Sequence, residues 1–183
     1  MSERERPASP GAEADERQRA FDVAWLREGP LERQRAFDVA WRALARRDRT
    51  ELELQQAFLK ARVEPVLAAE VLEELRAGAY VDDATYARRF AEDRRRLDGW
   101  GTERIERRLA ALGVAREHLA AALEHGAHDD LEAAVALLER RFPTPPATPR
   151  ERDRALAHLL RKGYELELAH DALRRHAGVA LDN

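Results

Sequence analysis

Residues 102–123 read TERIERRLAALGVAREHLAAAL, and this stretch has two counterparts elsewhere in the chain. Here Ile105, Leu109 and Val114 lead into the pair Ala122-Leu123. Upstream, Leu54, Phe58 and Val63 lead into Val71-Leu72; downstream, Ala155, Leu159 and Tyr164 lead into Ala172-Leu173. The offset is 51 residues from Leu54 to Ile105 and 50 from Ile105 to Ala155. A fixed period of this size belongs to stacked supersecondary units rather than to one irregular globule. Function is then expected on an extended repeat surface, not in a pocket holding a catalytic cluster.

The composition agrees with helices. Of 183 residues, 37% are charged, 44% hydrophobic and only 6% aromatic, which allows a core but a slender one. Ala, Leu, Arg and Glu dominate, all strong helix formers. With no cysteine, neither a disulfide framework nor thiol chemistry is available. No apolar run approaches the ~18 residues of a membrane span, and the first residues lack the apolar core of a secretory signal; a cytoplasmic location is expected. The net charge of −3 sits at the front, because residues 1–32 hold eight acids and five arginines and leave 27 of each sign for the remainder. A neutral body argues against bulk attraction to nucleic acid, whereas a one-sided array of arginines still binds it. Of the 32 bases only Lys60 and Lys162 are lysines.

Along the chain, residues 1–31 are expected to form a tail, disordered or partly helical, followed by repeat units at 32–78, 79–127 and 128–183. The first 15 residues are polar and aperiodic. The ten residues ERQRAFDVAW then occur twice, as 16–25 and 32–41. Only the second copy runs on into Leu44, with Phe37, Trp41 and Leu44 as its stripe, while Gly29-Pro30 is expected to end a helix after the first. The duplication is read as a passive one whose second copy belongs to the domain; the competing reading is a spare amphipathic helix that contends for its twin's groove. Nine helices are expected. The first lies near 33–47, the second opens with the capping box Thr50-x-x-Glu53, and the third starts at Glu64-Pro65, carries Leu67, Val71 and Leu75, and ends at Gly78. In the second unit, Asp82 or Asp83 caps a helix with Tyr86, Phe90 and Leu97, the turn Asp98-Gly99-Trp100-Gly101 follows, and the next helix stops at Gly113. In the third, Asp129-Asp130 caps a helix with Leu131, Val135, Leu138 and Phe142. Thr148-Pro149-x-Glu151 then opens a helix that carries Leu156, Leu159 and Leu160 and ends at Gly163, and Leu166, Ala169 and Leu173 form the last stripe. Each stripe follows i, i+3/i+4, i+7 spacing, and no strand pattern occurs. The fold class is all-α, tandem three-helix repeats.

The chemistry-bearing residues do not form a catalytic set. Six histidines have no convincing ligand spacing, since a metal needs three or four converging ligands. Asp82-Asp83 has the look of an acid–base pair, but a helix N-terminus explains it better, because carboxylates there accept orphan N–H bonds. There is no Gly-rich phosphate loop and no nucleophile elbow. No enzyme activity, cofactor or metal is expected. The arginines carry more information: Arg88, Arg89, Arg94, Arg95 and Arg96 fall on the first helix of the middle unit, and Arg104, Arg107 and Arg108 on its second. Arg104 and Arg108 lie beside the Ile105-Leu109 stripe, so they can form a basic ridge facing phosphates or an acidic protein surface. A solvated, salt-bridged face is the other reading, since Glu92, Asp93, Glu103 and Glu106 are interleaved.

The run AYVDDATYARRF at 79–90, with Arg94, Gly101 and Leu109 to Gly113, resembles the central signature of the RecX regulatory family. Arg49 to Leu54 and Leu160 to Tyr164 are similar to that family's first and third units, so the resemblance spans about 36–176; the duplicated segment's first copy falls outside it. The resemblance implies a monomeric regulator of elongated, curved shape, built of three-helix repeats, that binds RecA nucleoprotein filaments. It further implies damping of RecA's ATPase, recombinase and coprotease activities in DNA repair, recombination and the SOS response, with direct DNA contact as a further possibility. Binding is then expected at the arginines above together with Arg161 and Lys162 in the third unit. A helix-turn-helix DNA-binding regulator, or a helical scaffold for another protein, is the alternative. If the duplication is passive, deleting residues 1–31 is expected to leave helicity per residue and RecA inhibition nearly unchanged, as read by circular dichroism and an ATPase assay; a marked change in inhibition would favour the competing helix.

Overall fold

The computed structural model of the chain describes residues 29–124 and 127–178. Nine α-helices and no strand occur among the described residues. They are α1 (29–44), α2 (Glu51–Lys60), α3 (Pro65–Ala77), α4 (Asp83–Asp93), α5 (Thr102–Ala111), α6 (Arg116–Leu123), α7 (Ala127–Arg141), α8 (Pro149–Lys162) and α9 (Leu166–His176). A single π-helical stretch, Arg94–Asp98, extends α4. The described chain divides into two compact units, one of 29–47 with 54–77 and the other of 48–53 with the residues from Gly78 onward. The first duplicated copy, 16–25, lies outside the described residues.

The repeat period is a period of burial. Leu54, Ile105 and Ala155 are fully buried, as are Phe58, Leu109 and Leu159, and Val63, Val114 and Tyr164 are buried too. The third position has a backbone cause. Val114 N–H bonds the Leu109 carbonyl (3.2 Å) and Gly113 N–H that of Ala110 (3.0 Å), which is the Schellman pattern that closes a helix and turns its next apolar residue back onto the helix. Tyr164 and Gly163 do the same to Leu159 and Leu160, and Val63 and Arg62 to Phe58 and Leu59. The middle residue of each motif is left-handed, at φ 57° for Arg62, 80° for Gly113 and 90° for Gly163. The second and third units each hold a separate core, one around Ala87, Ala91, Ile105 and Leu109, the other around Ala134, Leu138, Ala155 and Leu159.

Helix starts follow the expected chemistry. Thr50 and Glu53 exchange both bonds of a capping box, as do Thr148 and Glu151 with Pro149 in the first turn. Asp82 is the N-cap of α4, accepting from Thr85 N–H at 2.9 Å, and those hydrogen bonds hold its carboxyl below the usual range. Asp83 instead accepts from the backbone N–H of Glu51 at 3.0 Å, while burial pushes its own carboxyl up.

Several expected stripes are displaced. Among the described residues helix α1 covers 29–44, with Gly29 and Pro30 helical, and the helix expected to end at this pair belongs to the first copy, which lies outside the described residues. The buried residues of α1 are Ala36 and Ala40, whereas Trp41 is 40% exposed. Alanine wins such positions because helices crossing close together have no room for a large side chain. The same holds in α4, where Ala87 and Ala91 are buried, while in α9 the buried Ala169 and Ala172 are expected positions. Leu97 is 59% exposed because the wider π turn rotates it off the stripe. Leu160 and Leu166 are exposed as well. Asp129 and Asp130 lie within the first turn of α7 rather than ahead of it.

The second and third repeats meet through backbone. Gly101 N–H donates to the Lys162 carbonyl at 2.8 Å, and a methyl group on Gly101 would collide with the carbonyl of Gly163 and lie 2.7 Å from Tyr164 N. Gly163 in turn faces the backbone of Arg104 without space for a side chain. Around this contact, Thr102 Oγ1 donates to Asp130 (2.7 Å) and Lys162 Nζ to the Asp98 carbonyl (2.7 Å). Within the same compact unit, Thr50 Oγ1 donates to the Leu112 carbonyl at 2.7 Å, and a Cβ on Gly113 would lie 2.5 Å from Leu52 Cβ. Each join therefore sets a helix N-terminus against the C-terminal carbonyls of another, charge-complementary ends of two peptide dipoles.

Gly163→Ala is expected to destabilise by about 2–5 kcal/mol, combining left-handed strain of about 1–2 kcal/mol with overpacking of about 1–3 kcal/mol. Leu109→Ala, which empties a buried site, is expected to cost about 2–5 kcal/mol. Gly178→Ala has the left-handed φ but open space around it and should show only the strain component. Urea unfolding of the three variants checks the order.

Candidate functional site

Helix α5 is amphipathic, with Ile105 and Leu109 buried. Spacings of three and four residues put Arg104, Arg107 and Arg108 together on its other side. The glycine contact described above brings the last turn of α8 alongside. Arg104 Nη1 donates to the Arg161 carbonyl at 2.9 Å, which places the Arg161 side chain next to the α5 arginines. Trp100, Arg104, Arg107, Arg108, Ala111 and Arg161 line an open groove of about 420 Å³.

Trp100 is the aromatic wall of this groove. It packs edge-on to Phe90 (ring centroids 6.1 Å apart), and Phe90 stacks on Tyr86 at 6.0 Å. The Arg104 guanidinium lies 4.1 Å from the Trp100 ring centre. The Arg94 guanidinium sits 5.3 Å from Phe90 and 5.7 Å from Trp100, and it is ion-paired with Asp98. A guanidinium over an indole is favoured by the ring quadrupole and weakly hydrated, so it is held without losing its outward donors. The π turn makes this possible: Trp100 N–H bonds the Arg94 carbonyl and Gly99 N–H that of Arg95, both at 3.1 Å, with Gly99 left-handed.

The ten basic residues singled out from the sequence separate into three settings. Arg104, Arg107, Arg108 and Arg161 share the groove; Arg107 Nε donates to the Glu103 carbonyl at 3.3 Å, and Arg107, Arg108 and Arg161 are exposed. Arg94, Arg95 and Lys162 turn toward the protein. Arg95 is half-buried with Nη1 3.4 Å from the Ala122 carbonyl, and its Nε and Nη2 are buried without a partner among the described residues. Burial lowers the Arg95 pKa, against the opposing charges of Asp130 and Tyr164. Arg88, Arg89 and Arg96 lie on the surface with local partners, namely Thr85 (3.0 Å), Asp48 (3.6 Å) and Asp93 (3.6 Å). Trp100 is not among the site residues expected from the sequence: the turn at 98–101 is legible there, but a turn gives no sign of what its ring packs against. Among the described residues no group of acids and histidines is arranged to hold a metal. His158, edge-on to Phe142, has a buried Nε2 without a partner among the described residues, and burial followed by the charges of Lys162 and Arg161 lowers its pKa.

These features define a tandem three-helix repeat protein with an arginine-rich, tryptophan-walled groove where its second and third repeats meet. Residues 82–123 match the family model described as RecX, second three-helix domain, and residues 128–173 match RecX, third three-helix domain. Over 132 residues the chain is 33% identical to the regulatory protein RecX of Chromohalobacter salexigens, covering 72% of this chain and 86% of that one. It is 29% identical over 131 residues to the regulatory protein RecX of Leptothrix cholodnii, covering 72% and 82%. The chain belongs to the RecX family. The crystal structure of RecX from Lactobacillus salivarius shares the fold, with a TM-score of 0.70 at 17% identity over 81% of this chain and 98% of that one. None of the described helices is long and apolar enough to cross a membrane.

The junction behind the groove has its own pH signature. Tyr164 is buried, and desolvation, followed by the negative charge of Asp130, pushes its phenol from 10.0 up to about 12. A pKa raised on folding gives stability that is complete below the unfolded value and is lost as pH climbs through the folded one. Unfolding free energy is therefore expected to hold to about pH 10 and fall between about 10 and 12. Tyr164→Phe should flatten that decline and remove a late phase from the tyrosinate absorbance of the parent.

Proposed function

We propose that this chain binds RecA–DNA filaments and restrains RecA's ATPase, recombinase and coprotease activities, acting as a monomer in the cytoplasm. Membership of a family whose relatives are named regulatory proteins supports the general role. The single observation that supports the contact site is the groove of four arginines beside Trp100. Arginine presents a planar fork of donors that matches phosphate and carboxylate oxygens two at a time. A filament offers such oxygens at every repeat along its length, on nucleic acid or on acidic protein faces. Linked repeats add modest contacts into a firm grip, because the second contact forms at high effective concentration. The neutral body makes this a directed interaction rather than a bulk attraction, since 27 bases face 27 acids beyond residue 32.

The test uses Arg107→Ala, Arg108→Ala and Arg161→Ala combined, because these three are exposed and outside the packed core. The parent is expected to slow DNA-dependent ATP hydrolysis by RecA at substoichiometric amounts while hydrolysing none itself. The triple variant should keep the parent's melting temperature, lose about tenfold or more in filament affinity, and show a shallower dependence of log affinity on log salt, by up to about 0.9 per lost phosphate contact. A parent that leaves RecA turnover and strand exchange untouched at equimolar ratio would refute the function. A variant that binds as tightly as the parent would refute the groove alone.

A further inference from the structure

The duplicated decapeptide is unaccounted for by the function, and the first compact unit shows what its second copy does. Within ERQRAFDVAW at 32–41, Ala36 and Ala40 are fully buried. Arg33 forms an ion pair with Glu74, and Arg35 Nη2 lies 3.4 Å from the Ala61 carbonyl. Phe37 stacks on Trp41 at 6.5 Å and carries the Arg33 guanidinium 5.3 Å above its ring. The two buried alanines and both arginine anchors all fall inside the ten repeated residues. A shift of sixteen positions places Arg17, Arg19, Ala20, Phe21, Ala24 and Trp25 in the same order.

We propose that residues 16–25 are an alternative occupant of the helix seat that residues 32–41 fill, so that the first unit exchanges one copy for the other within a single chain. Identical side chains in identical order meet the same alanine-sized contacts and the same acidic partner, Glu74. The degeneracy is broken just beyond the repeat. Ala43 and Leu44 follow the second copy and are half-buried, whereas Arg27 and Glu28 follow the first at the matching positions. Seating the first copy also lengthens the connection to Thr50 from residues 42–49 to residues 26–49, three times as many. Loop closure falls as the three-halves power of length, a factor of about five. Both effects favour the second copy, so the first is the minor occupant of the undisturbed chain and its removal is quiet. When it does take the seat, residues 32–47 leave the first unit. This exchange stands independently of the RecA reading.

The test is made in the full chain with Ala24→Asp, Ala40→Asp and both together, since a carboxylate in a fully buried, alanine-sized site disables whichever copy carries it. A24D is expected to melt like the parent. A40D should keep most of the parent's melting temperature, with amide exchange slowed at least tenfold in residues 16–25 and accelerated in 32–41. The double variant should lose the stability of the first unit. Equal losses in A40D and the double variant would overturn the proposal, as would a double variant that melts like the parent while 16–25 exchange freely. A melting temperature of A40D that rises with protein concentration, together with a doubled mass by light scattering, would overturn exchange within one chain and assign the seat to a second copy of the protein.

Discussion

Two glycines touching through their backbones set the geometry of the second and third repeats. Gly101 donates its N–H to the last carbonyl of α8, and Gly163 lies against the backbone of Arg104. Helix ends leave N–H and C=O groups without intrahelical partners, and burying them unpaired costs several times what a surface bond returns. Here the start of α5 and the end of α8 satisfy one another, which requires the two main chains to approach to hydrogen-bond distance. Only residues without a Cβ allow that. The polar bonds beside the contact, Thr102 to Asp130 and Lys162 to the Asp98 carbonyl, reinforce a placement that sterics already dictate.

The groove depends on the same approach. Arg104, Arg107 and Arg108 would form a basic face on an isolated α5, but Arg161 joins them only because α8 ends at that point. Trp100 is aimed by the π turn of Arg94–Asp98 and fixed between Phe90 and two guanidinium groups. Arg94 and Arg104 thus hold the wall, while Arg107, Arg108 and Arg161 are exposed. Half-buried Arg95 works from the inside, its charge set against Asp130 at the base of the junction. A cluster that looks like one basic ridge in the sequence is therefore split by depth into groups that pack and groups that face outward.

Much of this fold is legible in the sequence because a repeat averages out local ambiguity. Leu54, Ile105 and Ala155 differ in size yet share one environment, and their common spacing to Val63, Val114 and Tyr164 records the Schellman turn. Capping boxes at Thr50 and Thr148 are local chemistry and equally legible. What fails is the choice between neighbouring apolar residues. Phe37, Trp41 and Leu97 are the more hydrophobic candidates, yet alanines at 36, 40, 87 and 91 hold the core, as the expected alanines at 155, 169 and 172 also do. The distance between helices, which no single helix encodes, decides in favour of the smaller side chain. The groove was legible as to residue type but not membership, because a π turn and an interrepeat contact choose which arginines meet.

Arg62 shows the same constraint from its opposite side. It holds the position in its Schellman turn that Gly113 and Gly163 hold in theirs, and it is left-handed at φ 57°. A side chain there carries strain of about 1–2 kcal/mol, so glycine would be preferred on conformational grounds alone. At Gly113 and Gly163 glycine is also demanded by packing, since Leu52 and Arg104 occupy the space a Cβ would need. Arg62 is exposed, and at an exposed position only the strain remains, a cost the first unit tolerates. Glycine at two of three equivalent positions is thus explained by close packing rather than by the turn, because the turn itself forms with arginine. The repeat signature of this chain is in that sense a record of where one helix end abuts another, written in the residues too small to keep them apart.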